Sequence, residues 1–178
     1  MRSFIYSFDM AVTKAIVAWP AWLKPLFLAV TTVGDPIVTV PIGFAIVVYG
    51  YLQSNVRLAL AGACVWLTLG IGSVIKLLVG RARPMTEYTA NLQFPTLSFP
   101  SGHSSGSFIA YGLLAYLAWH LLPQPWNYIV AAALVVLIVL IGVSRIYLGA
   151  HFPSDVVAGW LLGAAMLALI IFVVRPLA

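Results

Sequence analysis

Residues 126–143 read WNYIVAAALVVLIVLIGV, without a single charge. A bilayer-spanning helix needs about 20 apolar residues, so this run, set between Pro125 and Ser144-Arg145, reads as a membrane span. Four more windows have the same character. Asp35-Pro36 opens one that stays uncharged to Val56; Asp as N-cap and Pro at the first helical position start a helix well. The others run over Leu58–Ile75, from Ser101 to Leu122 ahead of Pro123-Gln124-Pro125, and over Val156–Val174, stopped by Arg175-Pro176. Apart from residues 80–100 the connections are short, so neighbouring spans are expected to be antiparallel.

Composition supports this. Of 178 residues, 63% are hydrophobic and 7% charged, with nine Lys+Arg against four Asp+Glu. Mean hydropathy is +1.07. A soluble domain carries roughly a quarter charged residues, so a water-facing globular enzyme is excluded. So is a disordered chain, which needs low hydrophobicity. The formal charge of +5 is not gathered into runs, which gives no reason to expect nucleic-acid binding. The single Cys64 allows no disulfide framework or multi-cysteine metal site and reads as an inert thiol in an apolar run.

The first 34 residues differ. Asp9 and Lys14 interrupt one apolar stretch, and Pro20 and Pro25 break the next. A cleavable signal peptide would need an unbroken apolar core. Ser3–Val17 reads instead as an amphipathic helix in the membrane interface, with Trp19 and Trp22 at headgroup level; a true sixth span is the alternative. The expected fold is an all-α, polytopic membrane helical bundle with about five spans plus this interfacial helix. It forms a single domain over 1–178: an N-terminal segment 1–34, then a bundle 35–178 with site loops at 76–103 and 144–155. Gly159 and Gly163, four apart in the last span, read as a close helix contact within the chain.

Ionisable residues at membrane depth are functional candidates by default, and here they cluster. Lys76, Arg81 and Arg83 follow the second span, His103 starts the third, Arg145 ends the fourth, and His151 and Asp155 precede the fifth. Counting antiparallel spans puts all of them at one membrane surface. Arg offers a fork matched to phosphate oxygens and Lys a point charge. Pro100-Ser101-Gly102-His103 opens a helix whose free N–H groups favour an anion, and Gly102 permits close approach. The cluster reads as a phosphate cradle. Asp155, four residues after His151, can fix one imidazole nitrogen and leave the other free to attack. His103 can protonate a leaving oxygen. Metal-dependent hydrolysis needs several carboxylates, and this face has Asp155 and Glu87, so no metal and no cofactor are expected. Asp35 reads as a helix cap, His120 as an interface residue at the far face, and Glu87 and Tyr88 as solvated loop residues, with contact to a lipid headgroup the alternative.

Lys76-x6-Arg83-Pro84, Pro100-Ser101-Gly102-His103 and Ser144-Arg145-x5-His151-x3-Asp155 together resemble the three motifs of the type 2 phosphatidic acid phosphatase (PAP2) family. The resemblance spans residues 76–155. It implies a metal-independent membrane lipid phosphatase, with His151 as the nucleophile that becomes a phosphohistidine, Asp155 orienting it and His103 as general acid. It assigns Lys76, Arg83, Ser101, Gly102 and Arg145 to the phosphoryl group and gives Arg81 and Glu87 no role. Bacterial relatives with six spans carry an extra N-terminal helix, and this chain reads as beginning after it, near Asp9.

The expected activity is hydrolysis of a lipid phosphate or diphosphate of the undecaprenyl diphosphate, phosphatidylglycerophosphate or phosphatidic acid type. The alternative is an anion or phospholipid transporter, or a binding protein, using the same cations. The expected partners are the lipid phosphate and the bilayer. Placing Arg57 and Arg175 in the cytoplasm by the positive-inside rule puts a multi-pass protein in the cell membrane with its site on the extracytoplasmic face.

Overall fold

Eight α-helices and one 3-10 turn make up the computed structural model, which describes residues 2–90 and 97–174. The helices are α1 (Arg2–Val17), α2 (Lys24–Val33), α3 (Pro36–Leu52), α4 (Val56–Val79), α5 (Glu87–Ala90), α6 (Gly102–Leu121), α7 (Trp126–Tyr147) and α8 (Pro153–Val174); the turn is Ala21–Leu23. The protein is an all-α polytopic membrane bundle. Among the described residues, four helical stretches are long and apolar enough to cross a bilayer: Ala21–Leu52, Val56–Val79, Trp126–Tyr147 and Pro153–Val173.

The span expected from Ser101 to Leu122 is a helix of 20 residues, α6, but it is not among those four. The reason is where it sits. α6 packs against α3, α4, α7 and α8, and Ser104, Ser105 and Ser107 on it are fully buried. A helix surrounded by protein does not need an apolar surface, so its hydropathy falls. The outer helices face the other way: Leu78 on α4 is 80% exposed and Phe172 on α8 is 77% exposed, apolar surface suited to lipid tails.

Local signals set the helix ends. Asp35 Oδ1 accepts the Ile37 N–H at 2.9 Å and Pro36 follows it, so α3 starts where the sequence placed it. An N-cap of this kind contributes about 1 kcal/mol. Asn55 caps α4 through the Leu58 N–H. At the other end of α4, Gly80 takes a φ of 64°, which stops the helix and turns the chain inward. α4 thus runs one turn beyond the expected Ile75, carrying Lys76 within its last turn.

The Gly159/Gly163 pair is an intrachain contact, as the spacing suggests. A Cβ on Gly159 would lie 2.6 Å from the Ser101 carbonyl oxygen, and one on Gly163 would lie 2.5 Å from Phe108 Cβ. α8 therefore rides directly on the first turns of α6. That approach places the Pro-Ser-Gly-His helix start beside His151 and Asp155. Away from the site, Ile46, Leu58, Val65, Ile109, Leu113, Met166 and Ile170 form the apolar core between α3, α4, α6 and α8.

α1 has 16 residues, about 24 Å of helix, and packs on α7 and α8. It is a helix, as expected, but Asp9 on it is 1% exposed and turned into the protein. Arg175 and Pro176, the expected stop of the last span, lie outside the described residues.

Candidate active site

The converging ends of α4, α6, α7 and α8 build the site, as the counting of antiparallel spans requires. Lys76 Nζ donates to the carbonyls of Leu97 (3.2 Å) and Pro100 (2.5 Å), tying the end of α4 to the entry of α6. Arg83 Nη1 donates to the Ala150 carbonyl at 3.2 Å, just before His151. Ser101 is fully buried and caps α6: its Oγ accepts from the Ser104 hydroxyl at 3.0 Å and from the Ser104 N–H at 3.4 Å. Beside Gly102 the space is open, with nothing within 4 Å of where a Cβ would stand. The first N–H groups of α6 have no intrahelical partner and carry its positive dipole end.

Arg145 is 2% exposed at the end of α7. One of its terminal nitrogens, Nη1, donates to Thr31 Oγ1 (2.5 Å) and to the Tyr88 hydroxyl (3.2 Å), and the guanidinium lies 5.4 Å from the Tyr88 ring centre. Its Nε is buried with no hydrogen-bond partner. A buried unpaired donor on a cation costs free energy and suits an anion. Burial, reinforced by neighbouring Arg145, pulls the Arg83 guanidinium below its ordinary range. The cations are held together at a cost that a bound phosphoryl group would relieve.

His151 lies in the turn between α7 and α8, 2% exposed. Its Nδ1 is 3.5 Å from Asp155 Oδ2 and 3.4 Å from Ser98 Oγ. Asp155 Oδ2 also accepts the Ser98 hydroxyl at 2.5 Å and the Phe152 N–H at 2.9 Å. The carboxylate is therefore fixed by the start of its own helix, in the manner of a capping box, before it meets the imidazole. Burial pushes the His151 imidazole down to about 3; the Asp155 hydrogen bond opposes this, and Arg83 and Arg145 add to it. The ring is neutral at physiological pH, with Nδ1 directed to Asp155 and Nε2 left as the other nitrogen.

His103, in the first turn of α6, faces a partner that the sequence did not suggest: its Nε2 is 3.5 Å from Asp35 Oδ2. Asp35 is thus more than a cap. One oxygen starts α3 and the other meets His103. The break between α2 and α3 at Gly34-Asp35 supplies both Thr31 and Asp35 to the site.

A cavity of about 1160 Å³ opens beside His151, between α1, the turn after it and the chain from Pro84 to Tyr88. Met10, Val17, Trp19 and Tyr147 give it apolar walls, and Lys14 and Lys24 add two cations. Among the described residues, no three His, Cys, Asp or Glu side chains group as metal ligands.

The PAP2 superfamily model matches residues 56–177. The chain belongs to the PAP2 superfamily. It is similar to phosphatidylglycerophosphatase B of Bacillus subtilis, with 31% identity over 93% of this chain and 83% of the relative. It is also similar to decaprenylphosphoryl-5-phosphoribose phosphatase of Mycobacterium tuberculosis H37Rv, with 38% identity over 62% of this chain and 57% of the relative. A crystal structure of a transmembrane PAP2-type phosphatidylglycerolphosphate phosphatase from Bacillus subtilis aligns over 98% of this chain and 88% of its own, with a TM-score of 0.82 and 27% identity.

The protein is accordingly a PAP2-family hydrolase, of the superfamily of membrane-associated lipid phosphatases. Around the PAP2 motifs the structure adds residues that sequence reasoning passed over. Tyr88, read as a solvated loop residue, bonds Arg145. Glu87 opens the short α5 rather than an irregular loop. Ser98 and Thr31 gave no sequence signal, being ordinary hydroxyls near ordinary turns. Asp9 did give one: it is the lone carboxylate in α1 and interrupts its apolar stretch, and it reaches Arg81 at 2.7 Å. His120 lies at the far end of α6, exposed against Tyr116, as expected of an interface residue.

Proposed function

We propose that the protein removes phosphate from a lipid phosphate or diphosphate by way of a phosphohistidine at His151. The supporting observation is the state of that imidazole: buried, neutral, with Nδ1 turned to Asp155 and the cations Arg83 and Arg145 beside it. Nε2 would attack phosphorus, and the bond from phosphorus to the lipid-side oxygen would break. His103 would give that oxygen its proton. The phosphorylated ring keeps its Nδ1 proton and becomes cationic, which Asp155 balances. Water then attacks phosphorus, giving a proton to His103, the P–N bond breaks to return neutral His151, and inorganic phosphate leaves. Lys76, Arg83, Arg145, Ser101 and the N–H groups beginning at Gly102 would hold the phosphoryl oxygens as charge develops.

The apolar cavity beside His151 suits a substrate whose tail stays in the bilayer. The candidates are undecaprenyl diphosphate, phosphatidylglycerophosphate and phosphatidic acid. The names of the Bacillus and Mycobacterium relatives, a phosphatidylglycerophosphatase and a decaprenylphosphoryl-5-phosphoribose phosphatase, support a phosphorylated lipid. In this reading α1 lies in the interface and the bundle from residue 35 onward spans the membrane as one domain. Arg57, at the start of α4, is at the far end from the site, so the positive-inside rule puts the site outside the cytoplasm.

The test is phosphate release by purified protein from a panel of these lipids. Turnover of one or more, abolished in His151→Ala, is the expected result. Lipid binding without phosphate release would mean a binding protein or transporter instead.

A further inference from the structure

Asp9 is the feature that the PAP2 motifs leave unexplained. It is 1% exposed on a helix with no other acid, and a carboxylate is costly to bury unless its oxygens are satisfied. Both are. Oδ1 accepts the Ser154 N–H at 2.8 Å. Oδ2 accepts the Ser154 hydroxyl at 2.8 Å and Arg81 Nη2 at 2.7 Å. Arg81 in turn donates from Nη1 to the Ser154 hydroxyl and to Asp155 Oδ1, both at 2.7 Å, and its guanidinium lies 4.3 Å from the Phe152 ring centre. Arg81 also acts through its backbone: its carbonyl accepts the Ser98 N–H at 2.7 Å, and Ser98 holds the other oxygen of Asp155.

We propose that Asp9 and Arg81 are positioning residues for the reaction at His151, acting through Asp155. Arg81 holds Oδ1 of Asp155 while Ser98 and the Phe152 N–H hold Oδ2, so the carboxylate cannot rotate away from the imidazole. Arg81 lies between two carboxylates, and its charge is shared. If Asp9 lost its charge, Arg81 would direct its whole charge at Asp155 and draw that carboxylate's negative charge away from His151. If Arg81 were lost, Asp155 would keep its Oδ2 contacts but lose the hold on Oδ1, and Asp9 would remain as a buried anion without its cation. α1 thereby becomes part of the machinery: through Asp9 it anchors the first turn of α8, on which Asp155 stands. None of these groups belongs to the phosphate cradle of Lys76, Arg83 and Arg145. Their loss should slow the chemical step and leave anion binding alone.

This inference rests on the assignment of His151 as the reacting group, and the experiment separates the two. Purified wild type, His151→Ala, Asp9→Asn, Asp9→Glu, Arg81→Gln, Arg81→Lys and Asp9→Asn/Arg81→Gln are compared on p-nitrophenyl phosphate and on the best lipid phosphate. The kcat, KM and inhibition constant of inorganic phosphate are measured, with size-exclusion profiles to confirm folding. The expected result is a kcat lower by about tenfold or more in Asp9→Asn and Arg81→Gln, the size seen when an outer partner of a reacting group is removed. KM and the phosphate constant should stay within about twofold of wild type, which is the signature of an interaction used only in the transition state. Arg81→Lys and Asp9→Glu should recover part of the loss. The double variant should be no worse than Arg81→Gln, because the two side chains act as one unit. Wild-type kcat in folded Asp9→Asn, or fully additive losses in the double variant, would overturn the inference while a dead His151→Ala kept the assignment of His151. Weakened phosphate binding in step with kcat would reduce both residues to structural supports. Turnover in His151→Ala would remove the foundation of both.

Discussion

Asp35 Oδ2 stands 3.5 Å from His103 Nε2, joining the start of α3 to the start of α6. The same carboxylate caps α3 through its other oxygen, so its position is fixed by the backbone before it reaches the imidazole. The contact holds the imidazole of His103 in place at the start of α6, where a leaving-group acid is needed.

The contact separates the two histidines experimentally. A lipid alkoxide is a poor leaving group and needs a proton; a nitrophenolate leaves without one. His103→Ala should therefore lose far more activity on a lipid phosphate than on p-nitrophenyl phosphate, by a factor in the range of about 10²–10⁴. Asp35→Asn should show the same selectivity to a smaller degree, and His151→Ala should be inactive on both. Equal impairment of His103→Ala on the two substrates contradicts its role as acid.

The charge state of His151 can be read directly. Burial sets its pKa at about 3, well below the ordinary value near 6.5. The ring should stay neutral throughout the range in which a solvated histidine titrates. Nuclear magnetic resonance of histidine-labelled protein, with His151→Gln to assign the signal, should show no titration of His151 between pH 5 and 8. A folded-state pKa below the unfolded one also makes His151 a source of acid instability. Its penalty starts as pH falls below about 6.5 and grows toward the folded value. A midpoint near 6.5 in the folded protein would contradict the burial argument.

Much of this site was legible in the chain. Lys76, Arg83, His103, Arg145, His151 and Asp155 sit at ends of apolar runs, and counting antiparallel runs is enough to bring them together. Gly159 and Gly163 were legible for the same reason, since their spacing states a close helix contact. What did not show was every interaction whose partner lies far along the chain with no periodic relation. Thr31 to Arg145, Ser98 to Asp155 and Asp9 to Arg81 depend on how the ends of the helices interlock. The hydropathy of α6 misled in the opposite direction: its serines lower its apolarity because its neighbours are protein.

Metal independence follows from the cationic character of the cradle. Lys76, Arg83 and Arg145 surround the site, and their charges oppose a bound metal cation. Activity should persist in excess EDTA, and orthovanadate, which takes a five-coordinate form like that of the transferring phosphoryl group, should inhibit it. Loss of activity on chelation, restored by Mg²⁺ or Zn²⁺, would contradict this.

Topology provides a separate check. Met85, by the site, and Gln124, between α6 and α7, lie at opposite ends of the bundle and are both exposed. In a Cys64→Ala background, Met85→Cys should react with an impermeant thiol reagent added outside intact cells, and Gln124→Cys should react only after permeabilisation. Reaction of both from one side would break the antiparallel arrangement, and the reverse pattern would place the site in the cytoplasm.

The most direct test of the central claim is to trap the covalent enzyme. Wild-type protein mixed with a labelled lipid phosphate and quenched within its first turnover should carry phosphate on His151, located by mass spectrometry, labile in acid and stable in alkali. His103→Ala should accumulate this species on p-nitrophenyl phosphate if His103 also assists the attack of water, and His151→Ala should form none. A phosphoenzyme on any other residue, or one that persists in His151→Ala, would contradict the account.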